Sequence, residues 1–164
     1  MAAGLPDRVD CERLADDKAA LQRVYELREL PRLQDLLADN QGSVHASFAF
    51  ERVSDGRAGA TVHVEAEPHL VCQRCLRGSP FAIDGTSEIE FADSEDVTPA
   101  DPQREIYVME RGQVSLRDLV EEELLLAIPA VAVCTSPETC GKGPRVEEER
   151  SRPLAVLRDI LKKT

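Results

Sequence analysis

The middle of the chain alternates polar and apolar residues with a period of two. Val44, Ala46, Phe48 and Phe50 interleave with His45, Ser47, Ala49 and Glu51. After Ser54-Asp55-Gly56-Arg57, the residues Ala60, Val62, Val64 and Ala66 interleave with Thr61, His63, Glu65 and Glu67. Successive strand side chains point to opposite faces, so the pattern predicts an antiparallel hairpin with one apolar face and a turn at 54–57. A further short strand leads into Cys72. Phe81, Ile83, Ile89 and Phe91 share one parity, which predicts a long strand bent at Asp84-Gly85. Residues 104–109 read as a last strand. Ahead of the hairpin, 10–20 holds a short helix and 21–27 reads as a strand. Pro31 then suits the first turn of a helix reaching Ala38, with Leu33, Leu36 and Leu37 on one face.

The period changes after Ser115, a natural N-cap with Asp118 at the third helical position. A helix over 116–128 places Leu116, Leu119, Val120, Leu124, Leu126 and Ala127 on one broad apolar face, and Pro129 ends it. Glu121 and Glu122 project to the polar side. Glu123 does not: it projects between Leu119 and Val120, where a carboxylate must be hydrogen-bonded or paired. Acceptance from a backbone group or an arginine inside the fold explains it without function, and a place in an interface explains it with one. Near the end, Pro153 opens a short amphipathic helix with Leu154, Leu157, Ile160 and Leu161 on one face and Lys162 and Lys163 at its C-terminal end.

These elements predict an α+β fold in one domain, 1–164. An antiparallel sheet, flat or curled into a half-barrel, carries the packed amphipathic helix. The segments 1–10, 92–103 and 141–152 are polar or rich in proline and glycine, and are expected to be mobile. The chain has 164 residues, no tryptophan and four phenylalanines, so its core must rest mainly on Leu, Val, Ala and Ile. No apolar run approaches the roughly 20 residues of a membrane span, and no membrane partner is expected.

Charge narrows function further. The formal net charge is −11, and a field of that sign repels phosphates. Nonspecific coating of DNA is therefore excluded. Any RNA contact must be local or pass through a basic protein, unless the acidity serves solubility alone. The first seven residues lack a basic stretch followed by an apolar one, which points to a reducing cytosol.

Cysteine spacing supplies the chemistry. Cys72-Gln73-Arg74-Cys75 has the two-residue gap preferred in zinc knuckles, in a turn-like stretch between two predicted strands. Cys134 and Cys140 form a looser pair with Pro137 between them and Gly141 directly after. Two pairs of thiolates are what a closed tetrahedral zinc site needs. A disulfide, a redox Cys-x-x-Cys and buried inert thiols are the competing readings; the redox case expects a helix N-terminus beside a βαβ unit, which does not surround Cys72. Cys11 reads as an ordinary thiol. His45, His63 and His69 read as residues on strand faces, with His69 in reserve as a ligand. Were the pairs to meet, Arg74, Arg77, Lys142 and Arg145 would gather around the metal as a local basic patch able to meet RNA phosphates, part of it merely offsetting thiolate charge.

Several of these motifs resemble one known family. Leu70-Val71-Cys72-Gln73-Arg74-Cys75 followed by Phe81 resembles the cysteine loop of the bacterial YceD-like family, the large ribosomal RNA subunit accumulation proteins. The acidic-then-aliphatic stretch from Leu119 to Pro129, the late Cys140 and Pro153-Leu154-Ala155-Val156-Leu157 are similar to its other signatures, so the likeness spans the chain from about Leu21. Relatives often carry histidine at the position of Cys134, an exchange that keeps a zinc ligand, and proline at that of Ala132. Some relatives lack the cysteines, which implies that a metal would serve stability. The resemblance implies a cytosolic protein needed for synthesis, processing or stability of large-subunit ribosomal RNA, and brings no catalytic residues. A non-enzymatic biogenesis factor binding that RNA, a ribosomal protein or an assembly protein follows from it. The alternative is a metal-dependent hydrolase or nuclease acting in rRNA processing.

Overall fold

A computed structural model describes residues 7–94, 96–134 and 140. In chain order the elements are β1 (Arg8–Val9), α1 (Cys11–Asp16), β2 (Ala20–Glu26), β3 (Ser43–Arg52), β4 (Ala58–Ala66), β5 (His69–Val71), β6 (Gly78–Pro80), β7 (Ile83–Ala92), β8 (Glu105–Val108), β9 (Val114–Ser115) and α2 (Leu116–Ala127). Five strands form one open sheet in the order β2-β3-β4-β7-β8, while β1 pairs with β9 and β5 with β6. The fold is α+β. The sheet ends at β2 and β8 without closing into a barrel.

The predicted hairpin is present as β3 and β4, with Phe48 opposite Val62 and Ala46 opposite Val64. The apolar parity faces inward: Val44, Phe48, Ala60, Val62 and Val64 are all buried. Phe50 stacks on Phe48 and on Phe91, and Tyr107 meets Phe91 edge-on, which extends the core across the sheet. The opposite parity, including His45, Thr61, His63 and Glu65, is left partly or fully open.

Several expectations give way to tertiary contacts. Residues 31–38 do not form an α-helix. Two 3₁₀ turns, Leu27–Glu29 and Pro31–Leu33, occupy the region instead. Leu27, Leu30 and Leu33 are all buried, and a three-residue repeat lines up on one side of a 3₁₀ path but drifts on an α-helix. Gln34 Nε2 donates to the carbonyls of Leu27 and Leu30 at 2.9 and 3.1 Å and ties the two turns together. The strand predicted to bend at Asp84-Gly85 runs from Ile83 to Ala92, pairs with β4 without a break from Ile83 to Glu90, and leaves Phe81 outside it. β8 pairs with β7 in parallel, so the sheet is mixed, and it is not the last strand because β9 follows. The chain returns between these parallel strands over Glu90. That side chain is fully buried, accepts from the N–H groups of Ala100 and Asp101, and lies 3.0 Å from Arg57 Nη2. The segments 1–6 and 141–164, with the expected linker and C-terminal helix, lie outside the described residues.

The helix α2 starts as its sequence predicts, with Ser115 Oγ accepting from the Asp118 N–H at 3.2 Å. Its buried arc is rotated from the predicted one. Leu116, Leu119, Val120, Glu121, Glu123 and Leu124 are buried, whereas Leu126 is 67% exposed. The sheet covers one flank and the Pro31–Leu33 turn the other. Glu121, expected on the polar side, therefore sits inside and accepts from the Arg32 N–H at 2.5 Å. Helix periodicity fixes which residues share a face, not how many neighbours that face has.

Candidate metal centre

β5 and β6 form a small hairpin with Val71 opposite Gly78, and its tip is the stretch 72–77. The tip closes through Cys72 N–H to Arg77 O at 2.9 Å and Leu76 N–H to Cys72 O at 2.8 Å. Leu76 adopts the left-handed conformation, with φ of 57°, where glycine is the usual occupant. The hairpin is held against the domain by Ala38 N–H to His69 O at 2.7 Å and by a bridge between Leu37 and Leu70. Gly78 is required here, because a Cβ on it would lie 2.9 Å from Ala38 Cβ.

The chain leaving α2 comes back to this tip. Gln73 N–H donates to Ala132 O at 2.8 Å, which sets Cys134 beside the first pair. Cys72 Sγ lies 3.6 Å from Cys134 Sγ and 3.9 Å from Cys140 Sγ, and Cys75 Sγ lies 3.9 Å from Cys134 Sγ. All four sulfurs are within 4.8 Å of one another. Bonded sulfurs in a disulfide are about 2.05 Å apart, so these are four free thiols brought to one point. A tetrahedron of sulfurs about 2.3 Å from a central zinc has edges of about 3.8 Å. The observed separations bracket that edge.

Electrostatics agree with the spacing. The Cys72 thiol is pulled down to about 6, chiefly by the backbone N–H of Cys134 and then by that of Cys75. Cys75 is lowered first by the backbone N–H of Arg77. Cys134 is pushed up to about 12, first by its contact with the Cys140 sulfur and then by burial. Four thiolates this close can ionise together only with a cation among them, and a metal ion supplies that charge. The donor set, spacing and backbone N–H groups together fit a soft or borderline ion such as zinc.

The other predicted residues sort themselves around this centre. Arg74 Nε donates to Cys140 Sγ at 2.6 Å, so one arginine of the proposed patch also neutralises a sulfur. Arg77 contributes its backbone N–H and its side chain to the Cys75 sulfur. Lys142 and Arg145 lie outside the described residues. His69 is not part of the cluster; its Nδ1 lies 2.8 Å from Asp39 Oδ2. Cys11 is fully buried elsewhere, and burial pushes its thiol up to about 12. Glu123 accepts from the Ser87 hydroxyl, a side-chain donor rather than the backbone or arginine expected. Sequence reasoning missed Glu90 and Glu121 as buried carboxylates, because their partners come from distant loops.

An α+β sheet domain with a four-cysteine centre joining a hairpin tip to the chain beyond its main helix is the class these features define. The chain belongs to the family described as large ribosomal RNA subunit accumulation protein YceD, whose model matches residues 60–161. That match takes in both cysteine pairs and α2, and begins in β4 rather than near Leu21. The family is named for an accumulation role, not for an enzymatic activity. No solved structure matches the chain. Among the described residues, no helix is long and apolar enough to cross a membrane.

Proposed function

We propose that this chain is a non-enzymatic ribosome biogenesis factor. In this reading it acts in the cytoplasm and is needed for synthesis, processing or stability of large-subunit ribosomal RNA, by binding that RNA or a ribosomal or assembly protein. Family membership over residues 60–161 is the observation that carries the reading. Zinc at Cys72, Cys75, Cys134 and Cys140 would be structural, since four protein thiolates leave a tetrahedral ion no position for water or substrate. The same saturation weighs against a hydrolase or nuclease that uses this metal. Protein purified without affinity metals should contain about one zinc per chain; less than a tenth of that refutes the metal assignment.

Crosslinking in cells, followed by sequencing of bound RNA and mass spectrometry of bound protein, tests the function. Recovery of large-subunit rRNA or its assembly proteins is the expected result, and enrichment of neither rejects the reading. Arg74, Arg77, Lys142 and Arg145 are the proposed patch, which would make a salt-sensitive contact to a few phosphates. Their joint replacement by Gln should lower large-subunit rRNA in a deletion strain. Zinc content must be measured beside it, because Arg74 also touches the Cys140 sulfur. Full complementation by that variant rejects the patch.

A further inference from the structure

The four cysteines of the centre are not equivalent toward an oxidant. Cys72 is 1% exposed and Cys140 5%, whereas Cys75 and Cys134 are partly open to solvent. The two buried sulfurs are also held in place. Cys72 Sγ accepts from the Cys134 N–H at 3.3 Å, and Cys140 Sγ accepts from Arg74 Nε at 2.6 Å. Oxidation of a thiolate follows its access and the positive charge beside it. Cys75 has both, since the Arg77 side chain reaches its sulfur.

Cys134 is the other accessible sulfur, and it lies 3.9 Å from that of Cys75. A disulfide of about 2.05 Å needs this pair to close by about 1.9 Å. Cys72 and Cys134 are nearer to each other, at 3.6 Å, but the Cys72 sulfur is shut away from solvent. The favoured link therefore crosses between the two cysteine pairs. Cys72-Gln73-Arg74-Cys75, read as an isolated motif, suggests a link within the first pair instead.

We infer that the centre is an oxidant-sensitive clasp, in which Cys75 reacts first with a peroxide and Cys134 completes a disulfide that expels the zinc. This rests on zinc at the four cysteines, as proposed above. The Cys75 thiolate attacks one peroxide oxygen, the O–O bond breaks, and the departing hydroxide takes up a proton and leaves as water. Cys75 is then a sulfenic acid. The Cys134 thiolate attacks its sulfur, the S–O bond breaks, and a second hydroxide is protonated to water. Two electrons have passed from the two sulfurs to the peroxide. Cys72 and Cys140 alone are too few thiolates to hold the ion against solvent. The new bond keeps Cys134 at the hairpin tip, while Cys140 keeps Arg74 but loses the ion that fixed it. Reduction by a dithiol restores all four ligands.

Treating the zinc-loaded full-length chain with stoichiometric hydrogen peroxide in the presence of a zinc-binding dye tests this. About one zinc should appear per disulfide formed, and dithiothreitol with added zinc should reverse it. Trypsin cuts at Arg74, between Cys72 and Cys75, and leaves Cys134 and Cys140 together on 118–142. Mass spectrometry of the linked peptides therefore identifies the first bond. The expected product joins 75–77 to 118–142, with fragmentation placing the link at Cys134. A first disulfide containing Cys72 or Cys140 overturns the clasp. Arg77→Gln should slow release about fivefold per bound zinc, what one hydrogen bond is worth; an unchanged rate overturns Cys75 as the point of entry. A chain that takes up no zinc refutes the thiolate centre and this inference with it. A chain that binds zinc and keeps it in a large excess of peroxide refutes this inference alone.

Discussion

Glu123 illustrates how a single misplaced charge is accommodated. Its carboxyl is 8% exposed and is raised above the usual range, first by burial and against the opposing effect of the Ser87 hydroxyl. A carboxyl raised in the folded state favours its neutral form there. The stability it contributes is full below the unfolded value of about 4.3 and is lost as pH rises through the raised value. Glu123→Gln holds the neutral form at every pH and keeps an acceptor for Ser87. The variant should therefore melt about 2–4 °C above the parent at pH 7, with the gap closing near pH 4. Equal melting temperatures at pH 7 would show that the charge is already compensated. Asp7 accepts from Ser115 Oγ at 2.9 Å and Tyr25 OH at 3.0 Å, and so ties the segment before β1 to the head of α2.

At the scale of elements, α2 is docked on β7 and β4 through an arc rotated from the one its periodicity predicts. Leu124 is 1% exposed and belongs to the core that α2 helps to close. Leu124→Asp places an unpaired charge there and should cost about 3–5 kcal/mol, a large share of the roughly 5–15 kcal/mol that stabilises an ordinary domain. Thermal unfolding within a few degrees of the parent would mean that the helix is not docked as described. Leu126→Asp is the control, since that residue is 67% exposed and the change should shift stability by no more than about 0.5 kcal/mol. The two substitutions are alike in composition and two residues apart. Only the direction of the side chain separates them.

For the whole molecule, the thiolate centre closes a link rather than building the core. The stacked Phe48, Phe50 and Phe91 lie in the five-stranded sheet, while the cysteines join the β5–β6 tip to the chain beyond α2. Chelation of the proposed zinc should therefore speed amide exchange at Cys72, Gln73 and Cys134, by about tenfold or more, and leave β3 and β4 protected. Cooperative loss of protection in both regions would make the metal a condition for the entire fold.

Much of this was legible in the chain before folding is considered. The β3–β4 hairpin and α2 follow from periodicities that any window of about ten residues contains, because strand and helix geometry repeat locally. The cysteine pairs were legible because a thiol's chemistry narrows what two such pairs can do. What only the tertiary structure decided are the relations between distant segments. Cys72 and Cys134 are 62 positions apart yet 3.6 Å apart at sulfur. The parallel placing of β8 and the burial of Glu90 and Glu121 are of the same kind. Local pattern determines which face a side chain takes. What that face meets depends on where other parts of the chain come to rest.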